Sequence, residues 1–165
     1  MIKQTLKAHP LWLTSIVILA WLPLQRARAS CALIQGSDER ALCRAKTSGS
    51  SGQCGLIKDS DKRAYCRAVS GGGRGLCGLI RSGDLRSRCR AETGAGSGGG
   101  QCGLIQDGDQ RALCRAKAEK KSGQCGLIRA SDLRAYCRAL TGSGPGQCGL
   151  IKHADLRNQC RAEAR

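Results

Sequence analysis

The sequence predicts an all-α fold: six small helical hairpins in tandem, each stapled by a disulfide, with Gly/Ser-rich linkers between them. Three observations lead to this prediction. A unit of the type CGLIKDSDKRAYCRA occurs six times, the second half of each unit is rich in helix-forming residues, and the twelve cysteines are regularly spaced. Self-similarity at a period of about 23 residues is typical of repeat arrays and not of enzyme folds.

The N-terminal segment 1–29 has the layout of a secretory signal peptide. Lys3 and Lys7 form a positive start, residues 11–24 form an apolar stretch, and small residues precede a cleavage site after Ala29. The alternative is a membrane anchor, but the stretch is shorter than the ~20 residues of a spanning helix. We therefore expect an exported chain, periplasmic or secreted, with no transmembrane span after cleavage. A lipoprotein acylated at its first cysteine is a second alternative.

The repeat region, 30–165, is basic and nearly free of aromatic residues. Removal of the leader takes away four basic residues and no acidic one, so the net charge falls from +16 to +12. Tyr65 and Tyr136 are then the remaining aromatic residues, which argues against one large apolar core. Small exported modules with little core are commonly stapled by disulfides.

Each unit has the same internal spacing, and we number positions by their offset from the first cysteine. Leu is at +2, Ile at +3, Asp at +7, Arg at +9, the second cysteine at +12 and Arg-Ala at +13 and +14. Linkers such as TGSGPGQ separate the units. Units 1 to 6 span residues 31–45, 54–68, 77–91, 102–116, 125–139 and 148–162.

The constant spacing favours disulfides within units. The gap inside a unit never varies, whereas the gap across a linker does, and pairing across linkers would leave the first and last cysteines over. Closing a loop of this size stabilises a fold by about 3 kcal/mol. The predicted pairs are Cys31–Cys43, Cys54–Cys66, Cys77–Cys89, Cys102–Cys114, Cys125–Cys137 and Cys148–Cys160.

Each unit is expected to be a short turn followed by a helix. The turn residues before the +7 Asp supply N-cap chemistry, and an Asp suits the positive end of a helix. On a helical wheel of unit 5, Leu133, Tyr136 and Cys137 share an inward face, while Ala135 and Ala139 form a small face that a neighbouring unit could approach. The hairpins then stack as a short α-solenoid or, where the linkers are rich in glycine, hang as beads on a string.

The arginine pair of each unit lies at i and i+4 on a third helical face. One interpretation is a solvated face, with one arginine bridging to the Asp of an adjacent unit. The other is a ladder of anion-binding sites, because guanidinium groups hold phosphate, sulfate or carboxylate with two hydrogen bonds. The candidate anion-binding residues are Arg40, Arg44, Arg63, Arg67, Arg86, Arg90, Arg111, Arg115, Arg134, Arg138, Arg157 and Arg161.

We expect a non-enzymatic binder of polyanionic surfaces or of an acidic protein. The candidate polyanions are lipopolysaccharide, acidic cell-wall polymer, extracellular DNA and glycosaminoglycan. Sequence-specific recognition of nucleic acid is not expected, because no aromatic residues interleave the charges. No recurring catalytic set is possible with the one histidine of the repeat region, His153, which is interpreted as a turn residue, and no cofactor is expected.

Two other functions stay open. Twelve thiolates could buffer Cu(I), Zn or redox state, although C-x-x-C pairs are absent and an oxidising compartment favours disulfides. Alternatively, the chain could be a precursor that is cut at basic segments such as 117–121 into cationic antimicrobial peptides. A calcium loop at Asp59 and Asp61 is disfavoured, because the first Asp is missing from most units.

The unit C-x-x-I-x3-D-x-R-x-x-C-x-A resembles the tandem cysteine units of small exported proteins of Gram-negative bacteria. The resemblance covers residues 31–165. It implies export and a repeat architecture but no activity, so no functional residue is carried over from it. This chain differs in its long glycine linkers and in the second arginine that follows each unit's second cysteine.

Overall fold

The computed structural model describes residues 25, 27, 29–94 and 98–164. Within these ranges the structure is helical and has no strand. The six long helices are α1 Ser37–Ser48, α2 Ser60–Arg67, α3 Gly83–Thr93, α4 Gly108–Glu119, α5 Ser131–Thr141 and α6 Ala154–Glu163. The short segments are Ser51–Leu56, Arg74–Leu79, Ser122–Leu127 and Pro145–Leu150, which are 3₁₀ turns, the α-helical turn Gly98–Cys102, and a wide turn Ala68–Gly72 that continues α2.

Each unit is a hairpin of a short helical turn and one long helix. The +3 isoleucine ends the turn in an extended conformation and is buried in every unit. A polar side chain caps the long helix in units 2, 3, 4 and 6: for example, Asp59 accepts a hydrogen bond from the Lys62 N–H. The predicted N-cap chemistry is confirmed in these four units, whereas Gly36 and Ala130 precede α1 and α5 without a side-chain cap.

Disulfides close all six hairpins as predicted. Their Cα atoms lie 5.5–5.7 Å apart, within the usual range for a disulfide, and no cysteine is free. The bonds are Cys31–Cys43, Cys54–Cys66, Cys77–Cys89, Cys102–Cys114, Cys125–Cys137 and Cys148–Cys160.

The alanine face of each long helix packs against the next unit. Ala41 and Ala45 of α1 pack with the first cysteine and the +3 isoleucine of unit 2, Cys54 and Ile57. The same contact recurs between units 2 and 3, between units 4 and 5 and between units 5 and 6. Small side chains allow this close approach, so neighbouring hairpins bury a series of small apolar clusters between them despite having few large residues.

The last unit packs onto the first, which closes the array into a ring. Ala162 of α6 lies in one cluster with Cys31 and Ile34 of unit 1. Asp155 accepts hydrogen bonds from the N–H groups of Gln35 and Gly36, at 2.9 and 3.1 Å. The alanine contact and the aspartate contact at this closing junction are those found between consecutive units.

The ring goes beyond the open solenoid that the sequence predicts. The repeat pattern indicates that neighbours stack, but the rotation per unit that brings unit 6 back to unit 1 has no local sequence signal. The glycine-rich linker 94–100 also does not separate units 3 and 4, because Asp84 binds the N–H groups of Gln106 and Asp107 there. Residues 95–97 of that linker and most of the predicted signal segment 1–29 lie outside the described residues.

Asp155→Ala is expected to speed hydrogen exchange at the amides of Gln35 and Gly36 by about ten-fold or more, because both donors lose a charged acceptor. Hydrogen–deuterium exchange read by NMR measures each amide separately. Asp61→Ala is the matched control, since it removes the same contact at an internal junction and should expose only Arg81 and Ser82. Rapid exchange at Gln35 and Gly36 in the unaltered protein would contradict ring closure.

Candidate anion-binding surface

The +7 aspartates join consecutive units and do not pair with arginines. Each carboxylate accepts hydrogen bonds from two adjacent backbone N–H groups of the next unit, at 2.8–3.2 Å. The predicted arginine bridge to this position is therefore wrong. These donors lower the pKa of Asp38, Asp61, Asp109, Asp132 and Asp155.

Five of the six +9 arginines, those of units 2 to 6, are bound within their own units. Arg111 donates to the carbonyl oxygen of Ile105 at 2.7 Å, and Arg134 donates to that of Ile128 at 3.2 Å. The same side chain reaches back over the turn in units 2, 3 and 6. These arginines satisfy backbone carbonyl groups at the end of the turn, so five of the twelve predicted anion-binding residues have a structural role, whereas Arg40 has no such contact with a described residue.

The +13 arginines differ from the +9 set, because their guanidinium groups have no hydrogen bond or ion pair with any described residue. Four of them are exposed and two are half-buried. Since an arginine offers five N–H donors, this set leaves many donors free for a ligand. The +13 arginines are Arg44, Arg67, Arg90, Arg115, Arg138 and Arg161.

A cleft between units 4 and 5 brings several cations together. It has a volume of about 620 Å³, and Arg111 and Arg115 of α4 line it together with Leu127 and Arg129 of unit 5. Asp107 and Asp109 also line it, but their carboxylates are already bound by backbone N–H groups. The guanidinium groups therefore offer the free hydrogen-bond donors of this cleft, and an anionic group fits that chemistry.

A second polar site, which we call the hub, lies at the centre of the ring. Glu92 accepts hydrogen bonds from the Tyr65 hydroxyl at 2.6 Å, from Arg88 Nε at 3.2 Å and from Lys117 Nζ at 2.8 Å. The Arg88 guanidinium also lies over the Tyr65 ring, 5.5 Å from its centre. Three consecutive units, 2 to 4, are tied together by this one carboxylate.

Glu163 has the same role on the other side of the hub. It accepts from Tyr136 at 2.8 Å, from Lys46 at 2.9 Å and from Gln159 at 3.1 Å. The lysine comes from unit 1, so this cluster bridges the closing junction. The hub consists of Lys46, Tyr65, Arg88, Glu92, Lys117, Tyr136, Gln159 and Glu163.

The hub contains three cations and two carboxylates, and this surplus of positive charge shifts the pKa values of its acidic and basic groups. Burial alone would raise the pKa of Glu92, but Lys117, Arg88 and Lys46 hold it well below its usual range. The pKa of Glu163 is likewise about 2, because Lys46 and Lys117 outweigh its burial. Burial lowers the pKa of Lys117, and repulsion from the other two cations opposes the effect of Glu92. Both carboxylates are therefore ionised at neutral pH.

The hub was not predicted from the sequence, although a signal for it exists. Tyr65 matches Tyr136 and Glu92 matches Glu163, each pair 71 positions apart, while Gln159 stands in units 4–6 where units 1–3 have Arg88. The lysines and glutamates of the hub occupy offset +15, one position beyond the fifteen-residue unit, so the unit itself does not contain this signal.

Comparison with family models, curated proteins and solved structures finds no match to this chain. The function of the chain is therefore inferred from the geometry of the ring.

His153 and the twelve cysteines have structural roles in the ring. His153 accepts a hydrogen bond at the start of α6, as a turn and cap residue. All twelve cysteines are in disulfides, and within the described ranges no cluster of His, Cys, Asp or Glu side chains is arranged to hold a metal ion.

Proposed function

We propose that the protein is a non-enzymatic, exported ring whose six +13 arginines, which we call the rim, bind polyanionic surfaces or an acidic protein. The observation that carries this proposal is the set of six +13 arginines without a partner among the described residues. An unpaired like-charge set at fixed positions destabilises the isolated protein slightly, so its repetition in every unit suggests a function in binding. Six copies also provide avidity for a polymeric anion.

The six disulfides support an oxidising, extracytoplasmic compartment for this function. No helix in the described ranges is long and apolar enough to cross a membrane. Periplasmic or secreted localisation follows as part of the proposal. Lipopolysaccharide, acidic cell-wall polymer, extracellular DNA and glycosaminoglycan all present the phosphate, sulfate or carboxylate groups that guanidinium groups bind.

The two rival functions fit the ring less well. Thiol chemistry requires reduced cysteines, and in this ring each cysteine is buried in a disulfide. Processing into peptides at 117–121 requires an accessible segment. Lys117 instead lies in α4 with its ammonium group bound to Glu92, and Lys120 and Lys121 occupy an exposed turn. Only the last part of this basic segment is open to a protease.

Charge removal at the rim is expected to weaken binding more than charge removal elsewhere. The triple variant Arg67→Gln, Arg138→Gln, Arg161→Gln should bind heparin or duplex DNA about ten-fold more weakly, with a smaller dependence of affinity on salt. The charge-matched control is Arg74→Gln, Lys120→Gln, Lys121→Gln, which changes exposed residues outside the +13 positions.

Fluorescence anisotropy across a range of salt concentrations measures both quantities. Circular dichroism checks the fold of each variant, and no loss of stability is expected because the replaced guanidinium groups are unpaired. Equal losses in the two triple variants would show that net charge alone causes binding and would contradict a role for the rim.

A further inference from the structure

Six leucines, one in each unit, are exposed although their neighbours in sequence are buried. The +2 leucines are 63–67% exposed, whereas the +3 isoleucines are 1% exposed. An apolar side chain in water contributes nothing to the stability of the ring. The exposed leucines are Leu33, Leu56, Leu79, Leu104, Leu127 and Leu150.

Comparison of the six units with one another shows that this exposed leucine is not a chance choice. Exposed positions nearby vary between units: +4 is Gln, Lys or Arg, and +5 is Gly, Asp, Ser, Ala or His. Most positions that do not vary have a structural partner, since the cysteines are bonded, the +3 isoleucine and +14 alanine are buried, and the +7 aspartate joins units. The +9 arginine binds a carbonyl group of its own unit in units 2 to 6. The +2 leucine and the +13 arginine do not vary between units either, but neither has such a structural partner among the described residues.

The two positions are close to one another in space. Leu127 lines the cleft between units 4 and 5 together with Arg115 and Arg129. Arg115 also extends over the first turn of its own unit, where its guanidinium lies 3.7 Å from the point that a Cβ on Gly103 would occupy, one residue before Leu104. Arg115 therefore lies between the leucine of its own unit and that of the next, so apolar and cationic groups alternate at this junction.

Ring closure places the six units in equivalent surroundings, because every unit has a neighbour on both sides. The +2 leucines reflect this equivalence, since all six are 63–67% exposed. The +13 arginines follow it less strictly, since four of them are exposed and two are half-buried.

We propose that the +13 arginines and the +2 leucines together dock the ring on the surface of a bilayer rich in anionic phospholipid. The +13 arginines bind the headgroup phosphates, and the +2 leucines enter the boundary between headgroups and acyl chains. Charge complementarity supports this occupant, because the chain without its leader carries a net charge of +12 and Arg115 and Arg129 lie beside Leu127. A purely polar polyanion would use the arginines but not the leucines. The inference rests on the proposed function and narrows its target class.

The test uses the full disulfide-bonded chain without its leader and vesicles of equal parts phosphatidylglycerol and phosphatidylcholine. Replacing all six +2 leucines with serine is expected to weaken partition to these vesicles at least about ten-fold while leaving the affinity for heparin unchanged. Replacing them with methionine, which keeps an apolar side chain, should preserve partition. Circular dichroism confirms that each variant folds, as expected for side chains that are about two-thirds exposed.

The outcomes separate this inference from the proposed function. Full vesicle binding by the serine variant overturns membrane docking, while loss of heparin binding on removal of +13 arginines would still uphold the arginine rim. Unchanged heparin binding after that removal overturns the proposed function itself. A third outcome is self-association: the unaltered chain dimerises in sedimentation velocity, the serine variant stays monomeric, and both bind vesicles equally. That result would assign the leucines to the dimer and would show that membrane docking is wrong.

Discussion

Reduction of the six disulfides is expected to unfold the ring. Each bond closes a short loop and contributes about 3 kcal/mol in the chain-entropy model, so six together exceed the ~5–15 kcal/mol of net stability that is usual for a domain. The chain cannot compensate with a large apolar core, since the biggest fully buried side chains are two tyrosines and six isoleucines. Reduced protein should therefore lose its helical signal and its cooperative thermal transition.

Far-UV circular dichroism during titration with a phosphine reductant measures this loss, with free thiols counted in parallel. The double variant Cys102→Ala, Cys114→Ala removes one bond and should lower Tm by about 10 °C without unfolding the chain. Protein kept for the same time in the same buffer without reductant is the control. Native helical content in fully reduced, alkylated protein would mean that packing between the hairpins is sufficient.

Glu92→Gln is expected to destabilise the protein by about 3 kcal/mol, since breaking a buried ion pair leaves uncompensated charge in the hub. The side chain of Glu92 is 16% exposed, and it is the shared acceptor of Arg88 and Lys117. Glu39→Gln is the matched control, because the Glu39–Lys62 pair is about half-exposed and should contribute less than ~1 kcal/mol. Urea unfolding under non-reducing conditions measures both variants.

A second substitution and a pH series distinguish lost charge balance from lost packing. Lys117→Met added to Glu92→Gln should restore part of the stability, because it removes a cation that the hub already holds weakly. The folded-state pKa values of Glu92 and Glu163 are depressed, so their stabilising contribution is present above about pH 4.5 and is lost as the pH falls towards 2. The free energy of unfolding of the Glu92→Gln variant should therefore fall less steeply as the pH is lowered. An identical dependence on acidic pH in both proteins would contradict this account of the hub.

The repeat unit could be predicted from the sequence because its signals are local. Cysteine spacing, the cap residues and helix-forming residues each act within about fifteen positions, and the disulfide pairs and long helices follow from them. The role of Asp155 could not be found in this way. Its partners, Gln35 and Gly36, lie at the other end of the chain, and whether they meet depends on the summed rotation of five junctions.

The candidate site was predicted only in part, for a different physical reason. The helical wheel correctly groups the two arginines of a unit on one face, but a wheel does not show what lies opposite that face. The backbone carbonyl of Ile105 reaches Arg111, and none reaches Arg115. The exposed leucine escaped notice because apolar residues in a repeat are usually buried, and its isoleucine neighbour does follow that rule.

Ring closure also constrains how many units the chain can have. Tandem repeats readily gain or lose a copy, and an open array tolerates such a change at either end. In this ring a missing unit would leave one aspartate without its two N–H donors and would place lysine opposite the wrong neighbour at the hub, where the pattern recurs only after three units. We therefore expect deletion of one unit to leave the ring open.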